Sequence, residues 1–225
     1  MKILLAAATY NEINTTAAWL NETRGAVNGH QADTLITGIG GTATAYALAR
    51  YFAVKKPDLV IQAGIGGSFK THLPPESIVF VKEEVFADLG AQENDQLVDI
   101  FDLGLAAADE KPFSNRMLIN PNVDRWFHYQ RPFVRGATIN CISSTVRQTQ
   151  RIVEKYDADV ESMEGAALHY VCLREEINFI QVRAISNFVG ERNKNNWMMK
   201  EAIAGLNDFL KLMLRRETED GRRET

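Results

Sequence analysis

Residues 57–67 read PDLVIQAGIGG, and this stretch decides the fold. Residues 58–63 read as a buried strand, apolar but for Asp58 at its start and Gln62 and without regular alternation, the pattern of a strand covered on both faces. A glycine cluster, Gly64-Ile65-Gly66-Gly67, follows at once. Pro57 ends the alanine-rich helix predicted over 42–53, which itself follows a short strand over 34–37 and an earlier cluster, Gly38-Ile39-Gly40-Gly41. Both clusters are read as lying just past strand carboxyl ends, where open α/β sheets bind ligands. Further out, residues 2–8 read as a fully buried first strand and 15–22 as a helix. Downstream, strands are expected over 77–86, 134–141, from 159 and over 178–185, with helices over 146–156 and 163–174. An amphipathic helix is expected over 195–216, with Trp197 as a core residue. Asn120 is expected to cap a helix over 121–127, residues 88–95 read as an acidic loop, and 96–120 yield no reading. Alternating strands and helices make an α/β domain. The boundaries are read as a single domain over 1–216 and a disordered charged tail over 217–225.

Bulk properties narrow the function. The chain has 225 residues, enough to bury a core without disulfide staples. Its formal net charge is −4 and basic residues gather only near the end, so no nucleic-acid footprint is expected. No run is long enough to span a bilayer, and the apolar start (residues 3–8) is too short for a secretory leader. Cys141 and Cys172 read as buried free thiols in a reducing compartment, so a cytoplasmic protein is expected. The four histidines show no metal-ligand spacing, and neither metal nor cofactor is expected.

Three motifs carry chemistry. GIGGTATA lacks both the spaced dinucleotide fingerprint and the Gly-Lys-Ser/Thr of a phosphate loop, leaving close backbone approach as the use of its glycines. VESMEGAA (residues 160–167) puts two acids at a helix start. They can favour the helix dipole, or a carboxylate can accept from the paired hydroxyls of a sugar while the methionine packs under the ring. RAISNFVGERN (residues 183–193) ends a strand in a cation, a hydroxyl and a carboxamide.

Taken in order, Glu12 after the first strand, the two glycine clusters, Met163-Glu164 and Arg183-Ala184-Ile185-Ser186-Asn187 resemble the nucleoside phosphorylase and nucleosidase superfamily. With EEVFADLG (residues 83–90), they most resemble its futalosine hydrolase branch, from the alternative menaquinone pathway. The resemblance implies a three-layer α/β/α sandwich around a central mixed sheet, and an N-glycosyl hydrolase that works without a cofactor as a homodimer or larger homo-oligomer. By this resemblance Glu164 takes the ribose diol above Met163, and Glu12 holds and deprotonates the attacking water. Arg183 fixes that water or orients Glu12, a structural ion pair being its competing role. Gly64 lets backbone approach the ligand, and Ser186 orients Asn187.

Methylthioadenosine/S-adenosylhomocysteine nucleosidases resemble the same frame but carry an aspartate where Asn187 stands. A carboxamide cannot supply a proton to N7. It can accept from N7–H and donate to an oxygen at position 6, which matches a 6-oxopurine and mismatches adenine. No cation lies near the glycine clusters to hold phosphate, which favours water as the nucleophile. A methylthioadenosine nucleosidase, a 6-oxopurine phosphorylase and a non-catalytic nucleoside-binding protein remain as alternatives. Arg192, Lys194 and Asn196 are positional candidates for an anionic 5′ substituent.

Overall fold

The structure is a computed structural model, and residues 1–94, 96–191 and 193–216 are described. In chain order the elements are β1 (Lys2–Ala7), α1 (Tyr10–Glu22), β2 (Ala26–Val27), β3 (His30–Ile36), α2 (Gly41–Phe52) and β4 (Leu59–Ser68). Then come β5 (Ile78–Phe86), β6 (Gly90–Glu93), β7 (Gln96–Asp99), β8 (Leu118–Ile119), a 3-10 helix (Val123–Tyr129) and β9 (Phe133–Thr138). The remainder is α3 (Val146–Tyr156), β10 (Val160–Ser162), α4 (Gly165–Glu175), β11 (Phe179–Phe188), a 3-10 turn (Lys194–Asn196) and α5 (Met199–Arg216).

The main sheet runs β10-β9-β5-β11-β4-β1-β3-β2, with β8 beside β5. β1, β3, β4 and β11 are mutually parallel where they pair, whereas β5 is antiparallel to β11, so the sheet is mixed as expected. β10 also pairs antiparallel with the far end of β4, at Val160↔Ser68 and Glu161↔Gly67. Strands β4, β11, β5, β9 and β10 therefore close on themselves, and the closure lies where β4 is richest in glycine.

The unbroken apolar runs explain the layers. Along β1, Ile3, Leu5 and Ala7 pack with Ile13, Ala17 and Leu20 of α1 and with Leu206, Phe209 and Leu210 of α5. The alternate residues Leu4 and Ala6 pack with Leu48 and Phe52 of α2 and with Leu168 and Cys172 of α4. Successive strand side chains point to opposite faces, so a strand covered by helices on both sides must be apolar throughout. This is the expected three-layer arrangement. Truncating one of these fully buried leucines to alanine would cost about 2–5 kcal/mol.

Several sequence expectations change. α1 begins at Tyr10 rather than 15, because Glu12 reaches back to the Thr9 backbone N–H and stabilises an earlier start. Glu12 thus sits in the first turn of a helix. The second glycine cluster lies inside β4 rather than beyond it, and β11 runs on through Asn187 to Phe188. α4 starts at Gly165, with Glu164 as its non-helical N-cap.

Asn120 caps no helix. Its amide donates to the Phe179 carbonyl at 2.8 Å and its oxygen accepts from the Asn122 N–H at 3.0 Å, and a 3-10 helix begins only at Val123. The acidic 88–95 stretch contains β6, half of a hairpin with β7. The unread 96–120 region is held by Asp99 and Asp102, which pair with Arg116 and Lys155. Cys141 is exposed, and only Cys172 is buried. Trp197 lies before α5 and is half-buried. Arg192 and the expected tail over 217–225 lie outside the described residues. Among the described residues no helix is long and apolar enough to cross a membrane.

Candidate active site

A cleft of about 320 Å³ opens at the carboxyl ends of β1, β4 and β11. Its wall includes Glu12, Ile65, Met163, Glu164, Ser186 and Asn187. The chain thus gathers side chains from α1, β4, β11 and the β10–α4 junction, more than 170 positions apart at the extremes. The size suits a nucleoside-like ligand.

Glu12 is placed by its own helix and by β4. Its Oε2 accepts from the Thr9 N–H at 2.9 Å and from the Thr9 hydroxyl at 3.0 Å, and its Oε1 accepts from the Ile65 N–H at 3.1 Å. Directly after it α1 is distorted, with Ile13 at φ −125° and ψ 17°. A break in the backbone ladder leaves groups that need partners. Asn207 of α5 supplies them. Its amide donates to the Glu12 carbonyl at 2.9 Å, and its oxygen accepts from the Thr16 N–H at 2.9 Å and the Thr16 hydroxyl at 2.8 Å. Asn207 was not singled out in the sequence. Its one signal was an asparagine inside the apolar run of an amphipathic helix.

Glu164 ends the short β10–α4 junction. Oε1 accepts from the Gly40 N–H at 3.1 Å, and Oε2 faces Arg183 Nη1 at 3.5 Å. Gly40 holds φ 90°, a conformation that suits glycine, so the first cluster turns its backbone donor onto the carboxylate. Met163 lines the cleft beside Glu164.

Arg183 lies beneath this floor and is 1% exposed. Besides Glu164 it donates to Gln62 Oε1 at 3.1 Å and to the Ile65 carbonyl at 3.4 Å. These bonds fix Glu164 and the β4 segment that donates to Glu12. Its ion pair with Glu164 is part of this buried network. At Gly64 the missing side chain makes room within the protein. A Cβ there would stand 2.5 Å from Arg183 Nη1 and 2.8 Å from Glu12 Oε1. The strand must be bare at this point for the two side chains to pass.

Asn187 accepts from the Ser186 hydroxyl at 2.7 Å and donates to the Phe188 carbonyl at 2.9 Å. The Ser186 hydroxyl thus holds the amide oxygen. Each bond uses one valence. One acceptor lone pair on the oxygen and one N–H on the nitrogen remain for a ligand.

Below the Glu164 helix cap lies a further acid the sequence did not flag. Glu84 is wholly buried, accepts from Gln181 at 2.9 Å and Thr138 at 3.0 Å, and is pushed up to about 7 by desolvation. Its neighbour His169 donates Nδ1–H to the Leu118 carbonyl (2.9 Å) and is held down to about 3, again by burial. Trp197, expected in the core, instead lines the cleft with Met199 and Ile203, its indole N–H donating to the Glu191 carbonyl at 2.9 Å. Among the described residues no group of three or more His, Cys, Asp or Glu side chains is placed to hold a metal.

Residues 4–215 match the family model of the phosphorylase superfamily. A futalosine hydrolase of Thermus thermophilus is 30% identical over 187 residues, covering 81% of each chain. A 5′-methylthioadenosine/S-adenosylhomocysteine nucleosidase of Buchnera aphidicola is 22% identical over 214 residues, covering 90% of this chain and 86% of the relative. Among solved structures, the futalosine hydrolase of Helicobacter pylori superposes with a TM-score of 0.76 at 15% identity, covering 96% of this chain and 98% of that one. That likeness is one of fold. The family match spans nearly the whole chain, and this protein belongs to the phosphorylase superfamily.

Proposed function

We propose that this protein is a futalosine hydrolase, an N-glycosyl hydrolase that uses water to split futalosine into hypoxanthine and dehypoxanthine futalosine in menaquinone biosynthesis. The observation that carries the reading is the Asn187 amide, held by Ser186 and Phe188 with one acceptor and one donor valence left. A departing 6-oxopurine satisfies both, through O6 and the N7–H it gains as the C1′–N9 bond breaks. Adenine presents an amino group where the amide offers a donor.

The chemistry follows from the placement. Glu164, above its Arg183 support, accepts from the ribose diol, and its charge favours the oxocarbenium-like transition state. The C1′–N9 bond breaks with its electron pair left on the base, which departs as hypoxanthine protonated at N7, the proton coming from solvent. Water adds to C1′ and gives a proton to Glu12, whose orientation Thr9 and Ile65 hold. Water is favoured over phosphate because no lysine or arginine is among the described residues lining the cleft, and Arg183 is committed beneath it.

The catalytic unit is proposed to be one domain over residues 1–216, paired as a homodimer. Ile39 and Ile142 at the cleft, with Tyr46 on α2, are 64%, 42% and 63% exposed, an apolar rim that a second copy would cover. The free thiols fit a reducing compartment such as the cytoplasm.

Base release from futalosine, inosine and methylthioadenosine, with and without phosphate, tests the reading. The expected result is phosphate-independent hypoxanthine release from futalosine that Glu12→Ala abolishes. Faster cleavage of methylthioadenosine would assign the nucleosidase reading instead, and a steep phosphate dependence would assign the phosphorylase.

A further inference from the structure

Glu161, the first of the two acids in VESMEGAA, has no role in the scheme above, yet it lines the same cleft. It is 6% exposed. Its Oε1 accepts from the Ser143 N–H at 3.2 Å, while its Oε2 is buried without a partner. Buried carboxylate oxygens ordinarily find donors, because leaving one unmet is costly. Desolvation accordingly holds the Glu161 carboxyl above its ordinary value, against the lowering effect of Ser143. A donor is missing here, and the cleft is the place from which a ligand can bring one.

Strand register says which ligand atom that would be. Glu161 of β10 pairs with Gly67 from one side of β4, and Asn187 of β11 pairs with the same Gly67 from the other. In-register neighbours emerge on one face of a sheet, and two strand spacings set their backbones about 10 Å apart. The glycine between them carries no side chain. A Cβ there would stand 2.9 Å from Val189 Cγ2 and 3.5 Å from Asn187 Nδ2, so only glycine lets these side chains sit over β4. An acceptor-and-donor amide and an acceptor-only carboxylate thus stand on either side of Gly67, and both line the cleft.

We propose that Glu161 is a second base-reading residue, accepting the N1–H of a 6-oxopurine whose N7–H and O6 meet Asn187. The inference rests on the 6-oxopurine reading above and deepens it. Hypoxanthine offers a hydrogen at N1, whereas adenine offers a lone pair. A carboxylate there is matched to the first and repels the second. The two residues together read three positions along one edge of the base, and adenine fails at two of them.

The test uses Glu161→Gln, which is close to isosteric, with Glu161→Ala beside it. In the glutamine variant the carbonyl keeps the Ser143 bond and the amide turns a donor toward N1. The kcat/KM ratio for futalosine over its 6-amino counterpart should fall at least tenfold, chiefly through loss on futalosine, and calorimetric hypoxanthine binding should weaken by about 10–100-fold. In the alanine variant the wild-type penalty for a methyl group on N1 of futalosine should largely disappear.

Ratios and hypoxanthine binding within twofold of wild type in Glu161→Gln would overturn the proposal, as would wild-type protein binding hypoxanthine no more tightly than adenine. If wild-type protein releases no base from futalosine while its hypoxanthine binding still depends on Glu161, the substrate assignment fails and this base contact stands.

Discussion

Replacing Gly64 with alanine should disable the site while leaving most of the fold in place. The new Cβ would lie 2.5 Å from Arg183 Nη1 and 2.8 Å from Glu12 Oε1, where ordinary contact begins at 3.4 Å, so the two groups must retreat by about 0.9 and 0.6 Å. Neither has free room. Arg183 is held by Glu164, Gln62 and Ile65, and Glu12 by Thr9 and Ile65. A displacement approaching 1 Å at a water-positioning group costs about a hundredfold in rate. Overpacking of this kind costs about 1–3 kcal/mol of stability, partly offset by the lower chain entropy of alanine in the unfolded state. Steady-state hypoxanthine release and thermal unfolding, measured together, check both figures. kcat should fall about a hundredfold while Tm falls by only a few degrees. Gly41→Ala is the matched control, since its Cβ would meet nothing closer than 3.8 Å. If Gly64→Ala kept activity within about threefold of wild type, the idea that Glu12 and Arg183 need a bare strand between them would be refuted.

Other substitutions probe separate parts of the structure. Asn187→Asp would turn a carboxylate oxygen toward the Phe188 carbonyl that now accepts from the amide, favouring the protonated acid. Release of adenine from 6-amino ribosides should rise at least tenfold relative to hypoxanthine release, and an unchanged ratio in a base-release assay would count against the amide as the reader of position 6. Glu84 holds its proton up to about 7 in the folded state against an ordinary 4.5, so the native chain binds more protons than the unfolded chain between those values. Its contribution is greatest below about 4.5 and is lost as pH rises through 7, about 3 kcal/mol in all. Denaturant unfolding at pH 5 and pH 8 should show Glu84→Gln gaining stability relative to wild type at the higher pH, and the opposing term from neutral His169 cancels in that comparison. Gly205→Ala, on an exposed turn of α5 with nothing within 4 Å of the new Cβ, should raise stability by about 0.5–1 kcal/mol, read as a higher Tm at unchanged activity.

Much of this was legible before any coordinates. The apolar runs of β1 and β4, the second interrupted only by Gln62 before its glycines, announced strands covered on both faces, because an alternating strand would have left one face to water. Glu12, Met163, Glu164, Ser186 and Asn187 were all named from the chain, and the fold brings them to one cleft. Element starts were less legible. α1 begins five residues early because a side chain three positions on caps it, and β4 runs through its glycines because the bare backbone lets Glu12 and Arg183 pass beside it.

What only the tertiary structure decided are the pairings between distant segments. Asn207 steadies the backbone at Glu12 from 195 positions away, Glu84 meets Gln181 across 97, and Glu161 and Asn187 flank Gly67 only because two strands choose that register. A residue's own neighbourhood in the chain encodes whether it will be buried and in what kind of element. Which atom it faces once buried is set by strand register and helix docking, and those follow from the packing of the whole molecule.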